Sequence, residues 1–310
     1  MLNQLLTRRE SIKRISLAGS ALLINPLSSY LPTEERMMQR IIPVSGEQLP
    51  VVGLGSWLQF DVGTDESERQ QLMLVLKNMK EKGGKLIDSS PMYGEAENVI
   101  GELSSKSGFS NAFFYATKVW TNGKQSGIDQ MNASVSKLKR KRLDLMQVHN
   151  LVDWKTHLQS MNELKEEGKI RYTGITHYTS SAYSQLEEIV RKKLVDFVQF
   201  NYSIRVRNAE KALINTARDS GVAVIINEPF ESGRLFSHVK GKMLPDWAAD
   251  YSINSWGQFF LKFILSNAAV TCVIPGTSNP VHVIDNMQAG YGPMPDEAGR
   301  KKMIAYLETV

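Results

Sequence analysis

The sequence of 310 residues predicts an α/β protein built as a closed (β/α)8 barrel, the TIM-barrel fold. From Leu54 onward, strand-like apolar runs alternate with helix-like segments eight times. Several of the strand runs are almost continuously apolar, as expected of parallel strands that are buried on both faces. Eight units in roughly 260 residues match the usual size of such a barrel. The alternative is a doubly wound open sheet, but no G-x-G-x-x-G loop opens a helix after the first strand.

The first elements are a hairpin and two β/α units. The stretch "RIIPVSGEQLPVVGLGSW" has short β-type runs on either side of residues 45–46, which predicts a hairpin before the barrel. The first barrel strand lies near Leu54, and apolar residues at helical spacing with a glycine stop predict a helix over 70–83. The stretch "KLIDSS" (85–90) is a second strand, and "ENVIGELSS" (97–105) is its helix.

The same alternation continues to the last residues. Runs rich in β-branched and aromatic residues are each followed by an amphipathic segment. The remaining strands are predicted at residues 112–120, 143–150, 170–178, 195–203, 222–230 and 269–277. The remaining helices are predicted at residues 128–141, 154–169, 181–192, 209–221, 255–267 and 280–288, with a last helix at 296–307. This pattern predicts one barrel domain over residues 40–310, without an internal linker.

Residues 1–30 have a different character. Arg8 and Arg9 precede a moderately apolar stretch that is too short to span a membrane easily. The pattern resembles a twin-arginine export signal, although Ser11 replaces the usual Phe and no Ala-x-Ala cleavage site follows. We therefore expect a leader that engages the twin-arginine export machinery and directs the protein to the periplasm. The alternatives are a cytoplasmic protein with a disordered tail, or a barrel tethered to the membrane.

Composition and charge exclude several classes of function. Cys272 is the single cysteine, so an internal disulfide and a cysteine-rich metal site are excluded. The formal net charge is +5, of which residues 1–30 carry +3, so the alkaline pI gives little support for nucleic-acid binding. The run "KLKRKR" (137–142) is interpreted as a helix end, where cations meet the negative end of the helix dipole and solvent.

Four ionisable residues fall where consecutive strands end or in the loops just after them. The second strand ends in Asp88 with Tyr93 in its loop, the third ends near Lys118, and the fourth ends at His149. In a barrel of this kind the chemistry sits at the C-terminal ends of the strands. An ammonium close to a phenol lowers the phenol pKa from its ordinary value of about 10. The set therefore predicts proton delivery to a developing alkoxide, with Lys118 acting on Tyr93, Asp88 holding Lys118, and His149 donating to a substrate oxygen.

Each of these residues also has a purely structural interpretation. A buried Asp–Lys pair is often only a satisfied ion pair, a histidine in an apolar strand is usually a core residue, and Tyr93 could be surface filler. Their joint position on neighbouring strand ends favours function. A metal site is disfavoured, because His149 and His177 lack close ligand spacing and carboxylates at this end are few.

From about Arg40 onward the chain resembles the aldo-keto reductases. The resemblance is carried by "GLGSW", "IDSSPMYGEAENVIG", "ATKVW", "LDLMQVHN", "EEGKIRYTGITHY", "VQFNYSI", "INEPFESGRLF" and "VIPGTSNPVHVIDNMQA", in the order and spacing of the family. It implies NAD(P)H-dependent reduction of an aldehyde or ketone to an alcohol, without a Rossmann domain and without a metal. It also implies that Tyr93 is the general acid, that Lys118 and Asp88 tune it, and that His149 orients the carbonyl.

The resemblance further implies a cofactor site. Gln199 matches the residue that binds the carboxamide, Tyr202 fits the position that stacks on the nicotinamide, and the loop from Pro229 to Leu235 matches the one that covers the pyrophosphate. Asn286 matches the adenine contact. The full implied set is Ser56, Trp57, Thr176, His177, Gln199, Tyr202, Pro229, Ser232, Gly233, Leu235, Gly276, Thr277, Ser278, His282 and Asn286.

Three departures from the family pattern bear on cofactor choice. Thr176-His177 stand where the family often has Ser-Asn, Gly276 stands where many members have lysine, and His282 stands where many have the arginine for the 2′-phosphate. An arginine offers a permanent charge, whereas a neutral histidine offers one donor. NADP(H) is therefore favoured only slightly and NAD(H) is possible, with a preference that grows as His282 takes up a proton.

An apolar mouth is expected for the substrate, a small carbonyl compound with some hydrophobic bulk. Its lining is predicted to comprise Trp57, Phe60, Met92 and Trp120, although Phe60 could equally be a core residue. The main alternative function is a non-enzymatic regulatory or sensor subunit that binds the same cofactor. A metal-dependent hydrolase is a third possibility. We expect a monomer or a weak oligomer.

Overall fold

The computed structural model describes residues 36–310, and these form one unit, Arg36–Val310. The leader predicted over residues 1–30 lies outside the described residues. A β-hairpin comes first, formed by β1 (Gln39–Ile41) and β2 (Gln48–Pro50), which pair antiparallel across the predicted turn.

Eight further strands follow the hairpin and form one parallel sheet among the described residues. They are β3 (Leu54–Gly55), β4 (Leu86–Asp88), β5 (Phe114–Val119), β6 (Leu143–His149), β7 (Ile170–His177), β8 (Phe197–Asn201), β9 (Ala223–Asn227) and β10 (Cys272–Val273). They lie side by side in chain order. Parallel bridges join Val52 to Val273 and Gly55 to Gly276, so the last strand returns to the first. The predicted closed barrel is therefore confirmed.

Helices connect the strands. They are α1 (Glu66–Glu81), α2 (Ala96–Lys106), α3 (Lys124–Lys137), α4 (Trp154–Glu166), α5 (Tyr183–Arg191), α6 (Leu213–Ser220), α7 (Arg234–His238), α8 (Trp256–Leu265), α9 (Pro280–Gln288) and α10 (Glu297–Leu307). Side-chain caps fix the N-termini of α1, α9 and α10. The Asp65, Asn279 and Asp296 side chains accept the backbone N–H groups of Glu68, Val281 and Gly299, respectively. Each cap satisfies a backbone donor that the helix itself cannot.

Two segments depart from the predicted element boundaries. The helix predicted over 209–221 is divided, with a 3-10 turn at Asn208–Lys211 before α6. The connection between β9 and α8 contains the short helix α7 and a 3-10 turn at Asp246–Tyr251, which the sequence pattern did not predict. No helix within residues 36–310 has both the length and the apolar character needed to cross a bilayer.

Two apolar layers hold the barrel together. The inner layer fills the barrel with alternate strand residues, among them Phe114, Phe197 and Ile225, and the hairpin residues Ile42 and Leu49 belong to it. The outer and larger layer lies between the strands and the surrounding helices. Because side chains alternate across a strand, each strand contributes to both layers, and the last inward residues of the strands lie at the C-terminal mouth.

Candidate active site

A buried ion pair lies at the C-terminal end of the barrel. Lys118 on β5 and Asp88 at the end of β4 are both buried, and the Lys118 Nζ contacts Asp88 Oδ2. Lys118 also donates to the Ser89 carbonyl at 2.6 Å. Burial alone would lower the pKa of Lys118, yet Asp88 and Tyr93 raise it above its ordinary value, so the amine stays charged. The predicted partnership of Lys118 with Asp88 is present.

Two amides complete the environment of Asp88. The Asp88 Oδ1 accepts hydrogen bonds from the Nε2 atoms of Gln147 and Gln199, each at 2.9 Å. The carboxylate is therefore satisfied on both oxygens, which offsets part of the cost of burying a charged pair. The result is a cation held at one position in the barrel rather than a mobile surface lysine.

Tyr93 reaches this pair from the loop after β4. Gly94 has φ +58°, a left-handed conformation that side chains with a Cβ rarely adopt. A Cβ at residue 94 would collide with the Asp61 carboxylate, whose Oδ1 accepts the Glu95 N–H at 2.9 Å. The glycine allows the loop to pack against Asp61. With the loop in this position, the side chain of the preceding residue, Tyr93, is directed toward the mouth.

The phenol lies beside the cation. Lys118 Nζ is 5.0 Å from the centroid of the Tyr93 ring. Burial raises the pKa of the Tyr93 hydroxyl, Lys118 lowers it in part, and Asp88 adds to the rise. Lys118 therefore acts in the predicted direction, but burial outweighs it and the net pKa is above the ordinary value. The expectation of a lowered pKa is not met in this structure, and the hydroxyl is a protonated donor at neutral pH.

His149 completes the set from the end of β6. Its ring meets the Tyr93 ring edge to face, with centroids 5.8 Å apart. Burial, together with the charge of Lys118 and with His177, lowers the pKa of His149 to about 2. The imidazole is therefore neutral, which means that one ring nitrogen is a donor and the other an acceptor.

Ser90 decides which nitrogen of His149 carries the proton. The buried Ser90 hydroxyl lies 3.0 Å from His149 Nδ1 and accepts the Met92 N–H at 3.3 Å. A hydroxyl has one proton to donate, and Nδ1 is the acceptor within reach among the described residues. We infer that Ser90 donates to Nδ1 and that the imidazole proton is on Nε2. Sequence reasoning did not single out Ser90; its place one turn before Tyr93 was the available signal.

The rim of the mouth carries large exposed apolar side chains. Trp57, Met92 and Trp120 are 49%, 41% and 42% exposed, consistent with an apolar entrance. Phe60 is fully buried in the outer layer of the core. Its predicted role in lining the mouth is therefore wrong, because the loop after β3 folds its side chain inward.

Several residues of the predicted cofactor set lie at the mouth with their polar groups engaged. Ser56 is buried and donates to the Asp88 carbonyl at 2.9 Å, and the Thr176 hydroxyl donates to Gln199 Oε1 at 3.1 Å. His177 is half-buried and accepts the Thr179 N–H at 3.2 Å. Gln199 bonds to protein at both ends of its amide, so a carboxamide would have to compete with Asp88 for it.

Tyr202 lies away from the mouth. It is fully buried, its hydroxyl contacts Glu210 and Arg300, and its ring packs 6.2 Å from that of Phe263. The predicted stacking of Tyr202 on a nicotinamide therefore does not fit this structure. The physical reason is strand alternation: Asn201 points into the barrel, so its neighbour points to the helices.

The loop after β9 is the most contorted part of the mouth. Glu228, Glu231 and Ser232 all have positive φ without being glycine, and Gly233 follows with φ +88°. Such conformations persist only where the surroundings enforce them, and they cluster at ligand sites. Ser232 is exposed, whereas Pro229 and Leu235 are buried supports of the loop. Arg234, which the sequence interpretation passed over, supplies an exposed cation there.

The segment after β10 is partly open. Gly276 is exposed and His282 is exposed on the first turn of α9, whereas Thr277 and Asn286 are buried. Thr277 Oγ1 accepts the Asn279 N–H at 3.0 Å, and the Ser278 carbonyl accepts from Gln71 at 2.8 Å. These bonds hold the start of α9 against α1.

Two further residues at the mouth were missed by sequence reasoning. Asn201 and Asn227 lie side by side at the ends of β8 and β9, and each has a buried side-chain oxygen without a hydrogen-bond partner among the described residues. A buried acceptor without a donor is costly, so the pair points to a ligand that brings N–H groups. Within residues 36–310 no cluster of three His, Cys, Asp or Glu side chains is suited to a metal ion.

Comparisons with known proteins agree with this geometry. The sequence model of the Aldo/keto reductase family matches residues 51–300. Methylglyoxal reductase YeaE of Escherichia coli is 29% identical over 81% of this chain and 89% of its own length. Aldo-keto reductase str7 of Strobilurus tenacellus is 24% identical over 84% of this chain and 87% of its own length. An aldo-keto reductase from Klebsiella pneumoniae, solved in complex with NADPH, superposes with a TM-score of 0.73 at 20% identity over 88% of this chain and 95% of its own.

Proposed function

The chain belongs to the aldo/keto reductase family and is an NAD(P)H-dependent oxidoreductase, and from that premise we propose that it reduces small aldehydes and ketones with NADPH, using Tyr93 as the proton donor. One observation carries the proposal. The ring of Tyr93 lies beside the Lys118–Asp88 pair and packs edge to face on the ring of neutral His149 at one barrel mouth. Two donors and a cation at one point suit an oxygen that gains negative charge.

The chain's own residues fit a nicotinamide cofactor. The unpartnered oxygens of Asn201 and Asn227 are acceptors for the amide protons of a carboxamide. The loop from Glu228 to Gly233 has left-handed residues at 228 and 231–233, and exposed Arg234 follows it. Turns of this kind, beside a cation, can bind an anion such as a pyrophosphate. The structures of relatives that were solved with NADPH or NADP support the same assignment.

The mechanism assigns one task to each side chain. When bound, reduced nicotinamide supplies the hydride. His149 Nε2–H donates to the carbonyl oxygen and orients it, and Tyr93 transfers its proton to that oxygen as charge develops. Lys118 stabilises the phenolate that Tyr93 becomes, and Asp88 keeps Lys118 charged and in place. Trp57 and Trp120 cover the entrance and help to exclude water.

The substrate class follows from the rim. The exposed apolar side chains of Trp57, Met92 and Trp120 favour a carbonyl compound with some hydrophobic surface. The similarity to a methylglyoxal reductase adds small 2-oxoaldehydes to the candidates. We expect aromatic aldehydes and phenyl-substituted 2-oxoaldehydes to be reduced with a lower KM than methylglyoxal, because the aromatic ring contacts the rim.

A substrate panel with both cofactors tests the proposal. The purified chain is mixed with NADPH or NADH and each carbonyl, and the loss of nicotinamide absorbance is followed. Turnover with at least one aldehyde is expected. Tight NADPH binding without turnover of any carbonyl would favour the sensor subunit instead. Activity that chelators abolish would favour a metal enzyme.

The cofactor preference is expected to depend on His282, which is exposed on the first turn of α9. Its ring N–H can donate a hydrogen bond to the 2′-phosphate of NADPH. The ratio of kcat/KM for NADPH over NADH should therefore fall in His282→Ala. An unchanged ratio in this variant would contradict the role of His282.

We also propose export through the twin-arginine pathway, on the basis of residues 7–13. This pathway transports folded proteins, so the barrel could leave the cytoplasm with its cofactor bound. Cell fractionation with the wild-type chain and with Arg8→Lys/Arg9→Lys tests the proposal. We expect the wild-type chain in the periplasmic fraction and the double variant in the cytoplasmic fraction. The same distribution of both proteins between the two fractions would exclude export by this pathway.

A further inference from the structure

A second cavity lies at the other end of the barrel from Tyr93. It has a volume of about 890 Å³, opens to solvent and is bordered by the hairpin and by the loops that lead into β4, β5 and β6. Its charged lining is dominated by six cations: Lys80, Lys85, Lys139, Arg140, Lys141 and Arg142. None of the residues assigned above to catalysis or to the cofactor lines it. The proposed reductase site therefore does not explain this cavity.

Six of the seven cations that line this cavity lack counter-charges among the described residues. Its two carboxylates, Glu47 and Asp144, both pair with Arg171. None of the other six lining cations forms an ion pair with a carboxylate within residues 36–310. Elsewhere on the described surface some exposed lysines are paired, as Lys192 is with Glu188 and Lys301 with Glu297.

The net charge of the barrel is concentrated here. The lining holds seven cations and two carboxylates, a net +5. The whole chain carries +5, and residues 1–35 hold four cations and three carboxylates, so residues 36–310 carry +4. The remainder of the barrel is therefore close to neutral. Like charges that converge on a concavity repel one another and concentrate a positive field there.

Arg140 is held in place by two contacts and keeps a hydrogen-bond donor that has no partner among the described residues. Its guanidinium lies 4.9 Å from the centroid of the Tyr115 ring, and its Nη2 donates to Asn111 Oδ1 at 3.2 Å. Its Nε is buried and has no hydrogen-bond partner among the described residues. Lys139, with φ +52°, turns the chain directly after α3 so that residues 139–142 all reach the cavity. The run "KLKRKR" is thus more than a solvated helix end.

We propose that this cavity binds a small anion carrying several phosphate groups. The volume lies in the range of small-molecule sites. A guanidinium among several ammonium groups matches phosphate oxygens, which accept bidentate and charge-assisted bonds. Because the surface is concave, it suits a compact soluble ligand better than a planar bilayer. A ligand with several negative charges also removes the repulsion among the lining cations.

Titration calorimetry with inorganic tripolyphosphate tests the proposal. The full chain is kept in saturating NADP⁺, which blocks the proposed cofactor site. The test variant is Arg140→Gln/Lys141→Gln; the matched control is Lys192→Gln/Lys301→Gln, which loses the same charge outside the cavity. One saturable site is expected in the wild type and the control, with affinity about tenfold lower in the test variant because charge-assisted bonds are lost.

Three outcomes of the titration would overturn the proposal. They are no saturable heat in the wild type, equal weakening in both variants, and equal binding in both variants. A parallel sedimentation assay with phosphatidylglycerol vesicles separates the sources of phosphate. Binding to vesicles that tripolyphosphate does not displace would assign the cavity to a membrane surface and exclude the small ligand. Unchanged NADPH oxidation in the test variant is expected and keeps this result separate from the reductase activity.

Discussion

The two ends of the barrel hold charge in opposite ways. At the C-terminal mouth, Lys118 and Asp88 are buried and paired, and two amides satisfy the carboxylate. At the N-terminal face, six cations line an open cavity without carboxylate partners among the described residues. Burial makes an unpaired charge very costly, whereas water tolerates it at a surface. The mouth therefore has a fixed electrostatic arrangement suited to chemistry, and the opposite face has spare charge suited to binding.

The ends also differ in backbone strain. Among the described residues, seven non-glycine positions with positive φ lie in loops at the C-terminal mouth: Leu58, Asn150, Leu151, Asp153, Glu228, Glu231 and Ser232. At the opposite end, Lys139 and Lys193 have positive φ just beyond helix ends, where this conformation is common. The tenth position, Ser252, ends the 3-10 turn at Asp246–Tyr251. Strain is thus concentrated where a ligand must be positioned accurately.

The largest expected effect concerns the phenol. Tyr93→Phe removes the proton donor but keeps the ring that packs on His149, so kcat/KM for carbonyl reduction should fall about a thousandfold. NADPH affinity and the free energy of unfolding should stay close to those of the wild type. Tyr306→Phe, which loses a hydroxyl far from the mouth, is the matched control. Reduction at a wild-type rate in Tyr93→Phe would remove Tyr93 from the mechanism.

The second prediction tests whether the mouth depends on charge pairing. Lys118→Met leaves the Asp88 carboxylate buried without a cation, which should cost about 3–5 kcal/mol of unfolding free energy. The double variant Asp88→Asn/Lys118→Met keeps an acceptor for the two glutamines and removes both charges. It should recover most of the stability in urea unfolding but none of the activity. Equal stability of the single and double variants would show that the pair is not electrostatically coupled.

The third prediction concerns the histidine tautomer. Ser90→Ala removes the donor to His149 Nδ1, and kcat/KM should fall about tenfold, as expected for loss of one oriented hydrogen bond to the reacting oxygen. Because the pKa of His149 is about 2, the ring stays neutral and the pH profile should keep its shape. Nitrogen NMR shifts should report a mixture of tautomers. Ser89→Ala is the matched control, and Ser90→Thr should restore activity.

The smallest effect is expected at the N-terminal face. Lys85→Gln/Lys141→Gln relieves repulsion and should raise the unfolding free energy by about 0.5 kcal/mol at low salt, with no gain at high salt. Kinetic constants for carbonyl reduction should not change. The control Lys192→Gln/Lys301→Gln breaks exposed ion pairs and should not stabilise. A loss of stability in the Lys85/Lys141 variant would mean that these cations have partners that compensate them.

Most of the fold was predictable because its signals are local. Apolar periodicity and glycine stops located the eight barrel strands and the helices that pack on them. The segment between β9 and α8 was less predictable, since α7 and the neighbouring 3-10 turn are short and are stabilised by tertiary packing rather than by their own sequence. The division of the helix before β9 has the same cause.

The candidate site was predictable where strand order alone decides position. Asp88, Tyr93, Lys118 and His149 come together because parallel strand ends share one edge. Tyr202 and Phe60 were misplaced because nearness to a strand end does not determine which way a side chain faces. Counting outward from Gln199 in steps of two would have selected Asn201 and excluded Tyr202.

The closure of the barrel has a consequence for how the chain reaches this state. Gly55 and Gly276 meet across a bridge although about 220 residues separate them, and β10 itself has 2 residues. Contacts between such distant residues carry a high entropic cost until the intervening structure has formed. The joint between β10 and β3 should therefore be the last part of the sheet to assemble and the first whose amide protons exchange with solvent.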